Sequence, residues 1–89
     1  MNSITSEKLE QRLKELLIPS QLQVIDESAA HAGHVGANET GQGTHFRVRI
    51  ACAQFEGLSR VQRHRLVYDV LKDFIDQGLH ALAIEAQNP

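Results

Sequence analysis

Leu9, Leu13, Leu16 and Leu17 fall at i, i+4, i+7 and i+8, the spacing of one helix face. Thr5 or Ser6 can cap that helix, and Glu7 in its first turn suits the helix dipole. Pro19 stops it, because the residue before a proline is pushed out of the helical region. Leu22 and Val24 then alternate with Gln21 and Gln23 as a half-buried strand running to about Glu27. From Ser28 to Gly43 there is no apolar period, and four of the six glycines lie in this stretch. A loop of that length is usually kept for a functional reason, although a plain hairpin connection explains it equally well. Thr44 to Cys52 is the clearest strand: Phe46, Val48, Ile50 and Cys52 point to a core, and His45, Arg47, Arg49 and Ala51 point to water or a partner. After a turn at Glu56 and Gly57, Ser59 and Gln62 form a capping box. A long helix follows with Val67, Val70, Leu71, Phe74 and Ile75 as its stripe and Gly78 as a left-handed cap. His80, Leu82, Ile84 and Ala86 alternate with Leu79, Ala81, Ala83 and Glu85 in a last strand.

The order helix, strand, strand, helix, strand predicts an α/β (α+β) domain with a three-stranded sheet packed on helices, one domain over residues 1–89. At this length the chain buries about 60 to 65% of its unfolded surface, enough for one modest core and little room for a deep pocket. No apolar run is long enough to cross a membrane, and the N-terminus lacks a secretory pattern, so a cytoplasmic location is expected. One cysteine, Cys52, excludes an internal disulfide and an iron–sulfur or zinc site built from this chain's thiolates alone. No G-x-S-x-G elbow, Walker motif or dinucleotide glycine motif is present, and a triad of Ser28, Asp26 and a histidine exists only on paper. The chain is not expected to be an enzyme.

Charge and histidines change the picture. Five of six arginines (Arg47, Arg49, Arg60, Arg63 and Arg65) lie between positions 47 and 65, opposed there only by Glu56, although the whole chain has a net charge of −2. Such a segment hints at an anionic partner, against the simpler reading of a solvated basic face. The histidines are His31, His34, His45, His64 and His80, many beside one tyrosine. Imidazole is a borderline-soft donor, so the set invites a metal reading. His31 and His34 form H-x-x-H but lack the second pair of a structural zinc site. His64 projects about 20° from Leu71, which suits a partly buried, hydrogen-bonded packing residue. His80, first in its strand, fits a core-edge histidine or a ligand equally well, and His45 is most simply surface.

The stretch Phe55-Glu56-Gly57-Leu58-Ser59-Arg60-Val61-Gln62-Arg63-His64-Arg65-Leu66-Val67-Tyr68, with His80-Ala81-Leu82-Ala83-Ile84 downstream, resembles the signature of the BolA family. Asp26-Glu27-Ser28 before the loop and Thr44-His45-Phe46-Arg47-Val48 after it match as well. The resemblance implies a type II KH-like fold, helix–strand–strand–turn–helix–strand, which agrees with the order above. KH domains clamp RNA with a G-x-x-G loop, and Glu56-Gly57-Leu58-Ser59 stands here instead, so ordinary RNA clamping is not expected.

The resemblance further implies a non-catalytic adaptor in iron–sulfur cluster assembly or trafficking, or in iron sensing, that shares a two-iron, two-sulfur cluster with a monothiol glutaredoxin and glutathione. His80 then matches one metal ligand and His31, in a loop of the histidine type, the other, with His34 as the alternate. Histidines can replace two thiolates on one iron, as in Rieske centres. His64 and Tyr68 belong to structure or a partner interface, and the free chain is expected to hold no cofactor and to be a monomer or weak homodimer. The rival is a DNA-binding transcriptional regulator with Arg47, Arg49, Arg60, Arg63 and Arg65 as phosphate contacts. The two roles can coexist.

Overall fold

The computed structural model describes residues 4–28, 45–79 and 81–87. Helix α1 (Ser6–Leu17) begins where the Thr5 hydroxyl accepts from the Lys8 amide at 3.2 Å, and its Leu9, Leu13 and Leu17 are buried. Leu16 is not part of that face: it is 55% exposed. The stripe beside the leucines is taken by Arg12, whose guanidinium bonds the Val70 carbonyl (3.3 Å) and Asp73 (3.2 Å) and lies 5.0 Å from the centre of the Phe74 ring. Leu16 is one turn beyond Arg12 on that flank.

Strands β1 (Gln21–Asp26), β2 (His45–Ala51) and β3 (Ala81–Gln87) make one sheet in the order β1-β2-β3. β1 pairs antiparallel with β2, Val24 opposite Val48, and β3 pairs parallel with β2, Ile84 opposite Val48. Between β2 and β3 a short 3₁₀ turn (Ala53–Phe55) leads through Gly57 into α2 (Arg60–Val70), then α3 (Lys72–Asp76). Glu56 (φ −61, ψ 129) and Gly57 (φ 78), with the Leu58 amide bonded to the Phe55 carbonyl at 3.0 Å, form a type II turn, whose third position favours glycine. The capping box of Ser59 and Gln62 is complete in both directions.

The single long helix expected after Ser59 is two segments meeting at Leu71 (φ −100, ψ 11), where the Phe74 amide tightens to an i to i−3 bond on the Leu71 carbonyl. No glycine or proline marks this point. Gly78 (φ 120) does terminate α3: its amide bonds the Ile75 carbonyl and the Leu79 amide bonds the Phe74 carbonyl, the two bonds of a Schellman cap. Leu79 is consequently buried rather than outward, its apolar side chain joining Phe74 in the core. Ala51, also expected to face outward, is buried where Ser20 crosses it and bonds its carbonyl through amide and hydroxyl. The remaining core is as the alternation predicts: Phe46, Val48, Ile50, Cys52, Val67, Leu71, Phe74 and Ile84, with Phe55 added from the turn.

Ile18 ends α1 in the left-handed region (φ 45, ψ 60) and is 79% exposed. A β-branched residue there costs about 1–2 kcal/mol, while its side chain contributes little packing. Ile18→Gly is expected to stabilise the domain by about 0.5–1 kcal/mol, measured as a higher urea midpoint at unchanged m-value.

Candidate functional site at one end of the sheet

Asp26, His45 and Ala81 meet at one end of the sheet, because β1 ends, β2 begins and β3 begins there. The closure is built by Ser28. Its amide donates to Asp26 Oδ1 (2.9 Å), and its buried hydroxyl accepts from the His45 amide (2.9 Å) and lies 3.3 Å from the His45 carbonyl. The Glu27 amide donates to the same carbonyl at 2.8 Å. Ser28 is thus a structural clasp, which removes it from any nucleophilic triad. The Asp-x-Ser spacing, an Asx turn, is the signal that could have found it.

His31 and His34 lie in 29–44 and His80 precedes Ala81, so all three expected ligands are outside the described residues. Their chain neighbours among the described residues, Ser28 and Ala81, are at this one end. His45 stands on the outer face beside it, half-buried, in a shallow pocket with Glu27, Arg47, Ala81 and Ala83. Cys52 is fully buried and cannot reach a metal at the surface. Among the described residues no group of three or more His, Cys, Asp or Glu is placed to hold a metal ion.

The basic segment divides between two surfaces. Arg47 bonds Glu27 and Glu85, each at 3.0 Å, and Arg49 bonds Glu85 at 3.2 Å and Gln23 at 3.3 Å, so this charge is largely met on the sheet's outer face. Hydrogen bonds donated to Glu27 and then to Glu85 raise the Arg47 pKa, and hydrogen bonds from Arg47 and then Arg49 hold the Glu85 carboxyl below the ordinary carboxylate range. Sequence reasoning missed both glutamates, since they lie 20 and 38 residues from Arg47. Arg63 is a turn clamp, its Nε donating to the Leu58 carbonyl at 3.1 Å and its guanidinium 5.8 Å from the Phe55 ring centre. Arg60 and Arg65 are exposed on α2.

His64 is half-buried as expected, beside Leu58, Arg60, Arg63, Ile84 and Ala86 in an open cleft of about 440 Å³, but no hydrogen bond to its ring occurs among the described residues. Tyr68, 41% exposed, donates its hydroxyl to the Leu82 carbonyl at 3.2 Å and so ties α2 to the first turn-side residues of β3.

These features define a small α+β domain in which one sheet end gathers a long connection and the start of β3. The BolA-like protein family matches residues 13–89. A Sinorhizobium protein described as "Uncharacterized protein in cobS 5'region" is 48% identical over 94% of this chain and 90% of its own length. The "SufE-like protein 1, chloroplastic/mitochondrial" of Arabidopsis thaliana is 44% identical over 92% of this chain, which spans only 23% of that protein, and human "BolA-like protein 1" is spanned to 53%. Among solved structures, the BolA domain of SufE1 from Arabidopsis superposes with a TM-score of 0.84 at 43% identity, covering 94% of this chain and 91% of that one. BolA1 from the same plant gives 0.83 at 40% identity, covering 100% and 96%. The chain therefore belongs to the BolA family and has its fold. No helix among the described residues is long and apolar enough to cross a membrane.

The Glu85 carboxylate is stabilised by Arg47 and Arg49, so its contribution to stability is present above the ordinary carboxylate value and is lost as pH falls through the lower folded value. Glu85→Gln is expected to lower the melting temperature at neutral pH, with the difference from wild type shrinking below about pH 4 and vanishing in stronger acid. A pH series of thermal melts measures it.

Proposed function

We propose that this chain is a non-catalytic adaptor in iron–sulfur cluster assembly, which receives a two-iron, two-sulfur cluster as cargo together with a monothiol glutaredoxin and glutathione. His80 and His31 are the proposed ligands to one iron, with His34 as the alternate. The observation that carries the reading is the convergence at one sheet end of Ser28, where the histidine-bearing connection leaves, and Ala81, the residue after His80. Family membership supports it, as does likeness to a protein named SufE-like.

The donor set fits a shared cluster and not an enclosed one. With Cys52 in the core, this chain offers imidazoles, and two of them suffice for one iron when a partner supplies the sulfur ligands on the other. Neutral imidazole in place of charged thiolate makes such a cluster easier to reduce. Tyr68 and His64, on the surface of α2 that adjoins β3, are proposed to contribute to the partner interface.

The DNA-binding reading ranks second. It rests on Arg60 and Arg65, because Arg47 and Arg49 are engaged by glutamates and Arg63 by its own turn. A net charge of −2 also disfavours strong nonspecific association.

Mixing the protein with a cluster-loaded monothiol glutaredoxin is expected to give a heterodimer with altered visible circular dichroism, as one iron exchanges sulfur for nitrogen ligands. His80→Ala should abolish the change, with the far-ultraviolet spectrum confirming a folded chain. An unchanged visible spectrum in that mixture would remove His80 from the site. Of the loop substitutions, His31→Ala should lower cluster retention much more than His34→Ala, because fewer residues separate His31 from the Ser28 clasp and ordering each costs about 1–2 kcal/mol. A larger loss from His34→Ala would reverse the assignment.

A further inference from the structure

The first residues of β3 have little packing of their own. Ala81 is exposed, Leu82 and Ala83 are half-buried, and Ile84 is the first residue of the strand to be buried. The strand has one neighbour in the sheet, β2, with Ala81 opposite His45 and Leu82 opposite Phe46. A strand end that buries so little is the kind of segment that opens locally before the core does. Two contacts outside the sheet bracket it. On one side Leu79 is buried and its amide is bonded to the Phe74 carbonyl at 3.1 Å, so the chain leaves α3 from a fixed point. On the other the Tyr68 hydroxyl donates to the Leu82 carbonyl at 3.2 Å, from 14 residues back in the chain. Burial does not account for this tyrosine. Helix α2 packs the core through Val67, with Leu66 and Val70 beside it, whereas the Tyr68 ring is 41% exposed and stands outside that cluster. What it supplies is a rigid arm that carries a donor from the helix to the backbone of a strand.

We propose that Tyr68 is a positioning residue for metal ligation at this sheet end: its hydroxyl holds the first residues of β3 against α2, so that the donor preceding Ala81 is set in place before a metal arrives. The proposal rests on the reading of His80 as a ligand, and it gives the Tyr68 hydroxyl a role apart from partner contact. His80 stands in sequence between the two anchored residues, one position after Leu79 and two before Leu82. A donor held by its supporting contacts loses less freedom when it coordinates, so removing a support weakens ligation while the fold stands.

Tyr68→Phe in the full chain tests the proposal, because the ring and the surface it covers are kept and one hydrogen bond is removed. In the protein alone, amide hydrogen exchange at residues 81–83 is expected to quicken roughly three- to tenfold, the change to which one net hydrogen bond corresponds. In the pair formed with a cluster-loaded monothiol glutaredoxin, the variant should lose cluster to a chelator faster than wild type by a similar factor, with the affinity of the cluster-free pair unchanged. Ser59→Ala is the control: it removes the cap at the far end of α2 and lowers global stability, and it should leave both exchange at 81–83 and cluster retention as in wild type. Unaltered exchange at 81–83, altered exchange with wild-type cluster retention, or an equal loss of retention in Ser59→Ala would overturn the proposal. A fall in cluster-free affinity that matches the loss of retention would also overturn it, by making Tyr68 an interface residue alone. A wild-type chain that takes up no cluster would overturn the ligand reading itself, and this proposal with it.

Discussion

The hydroxyl of Ser28 is the contact on which the site end of this fold depends. It is fully buried against both backbone groups of His45, the first residue of the central strand, and its own amide is held by Asp26. Without it, the His45 amide would lose this acceptor, a hydrogen bond contributing about 0.5–1.5 kcal/mol. Because β2 pairs with both neighbours, fixing its first residue also fixes where β1 stops and β3 starts. The chain segments expected to bear metal ligands are thereby attached to one rigid frame.

Electrostatics reinforces the frame. Arg47 sits on the central strand and reaches a glutamate from each side, Glu27 beyond β1 and Glu85 on β3, so a single guanidinium crosses all three strands. These groups are partly exposed, and each pair is individually weak. Their joint effect is to leave the sheet's outer face nearly balanced in charge, so that of the basic stretch the exposed arginines Arg60 and Arg65 stand on α2 instead.

Much of this was legible in the residue pattern. Strict alternation in Phe46, Val48 and Ile50 and the paired cap of Ser59 and Gln62 carry local physics that survives folding, so the elements and their order follow. Errors fall where a tertiary neighbour decides. Leu16 has helix-face spacing, but Arg12 defines the flank it occupies; Leu79 and Ala51 have outward parity, but a helix cap and a crossing chain cover them. The glutamate partners of Arg47 were invisible because register, not sequence proximity, brings them together. The candidate ligands were legible by resemblance, and the geometry that unites their flanking residues became apparent only once β3 was seen to run parallel to β2.

The enclosure of Cys52 has a consequence of a different kind. The only thiol of the chain is sealed beneath the sheet, so oxidised glutathione and other soluble disulfides meet it only when the core opens. A thiol-specific dye added to the native protein therefore reads out opening itself: its labelling rate reports how often, and at what free-energy cost, the domain breathes. A natural gauge of core integrity is built into the chain, one residue beyond the end of β2 that lies opposite the His45 and Ala81 end.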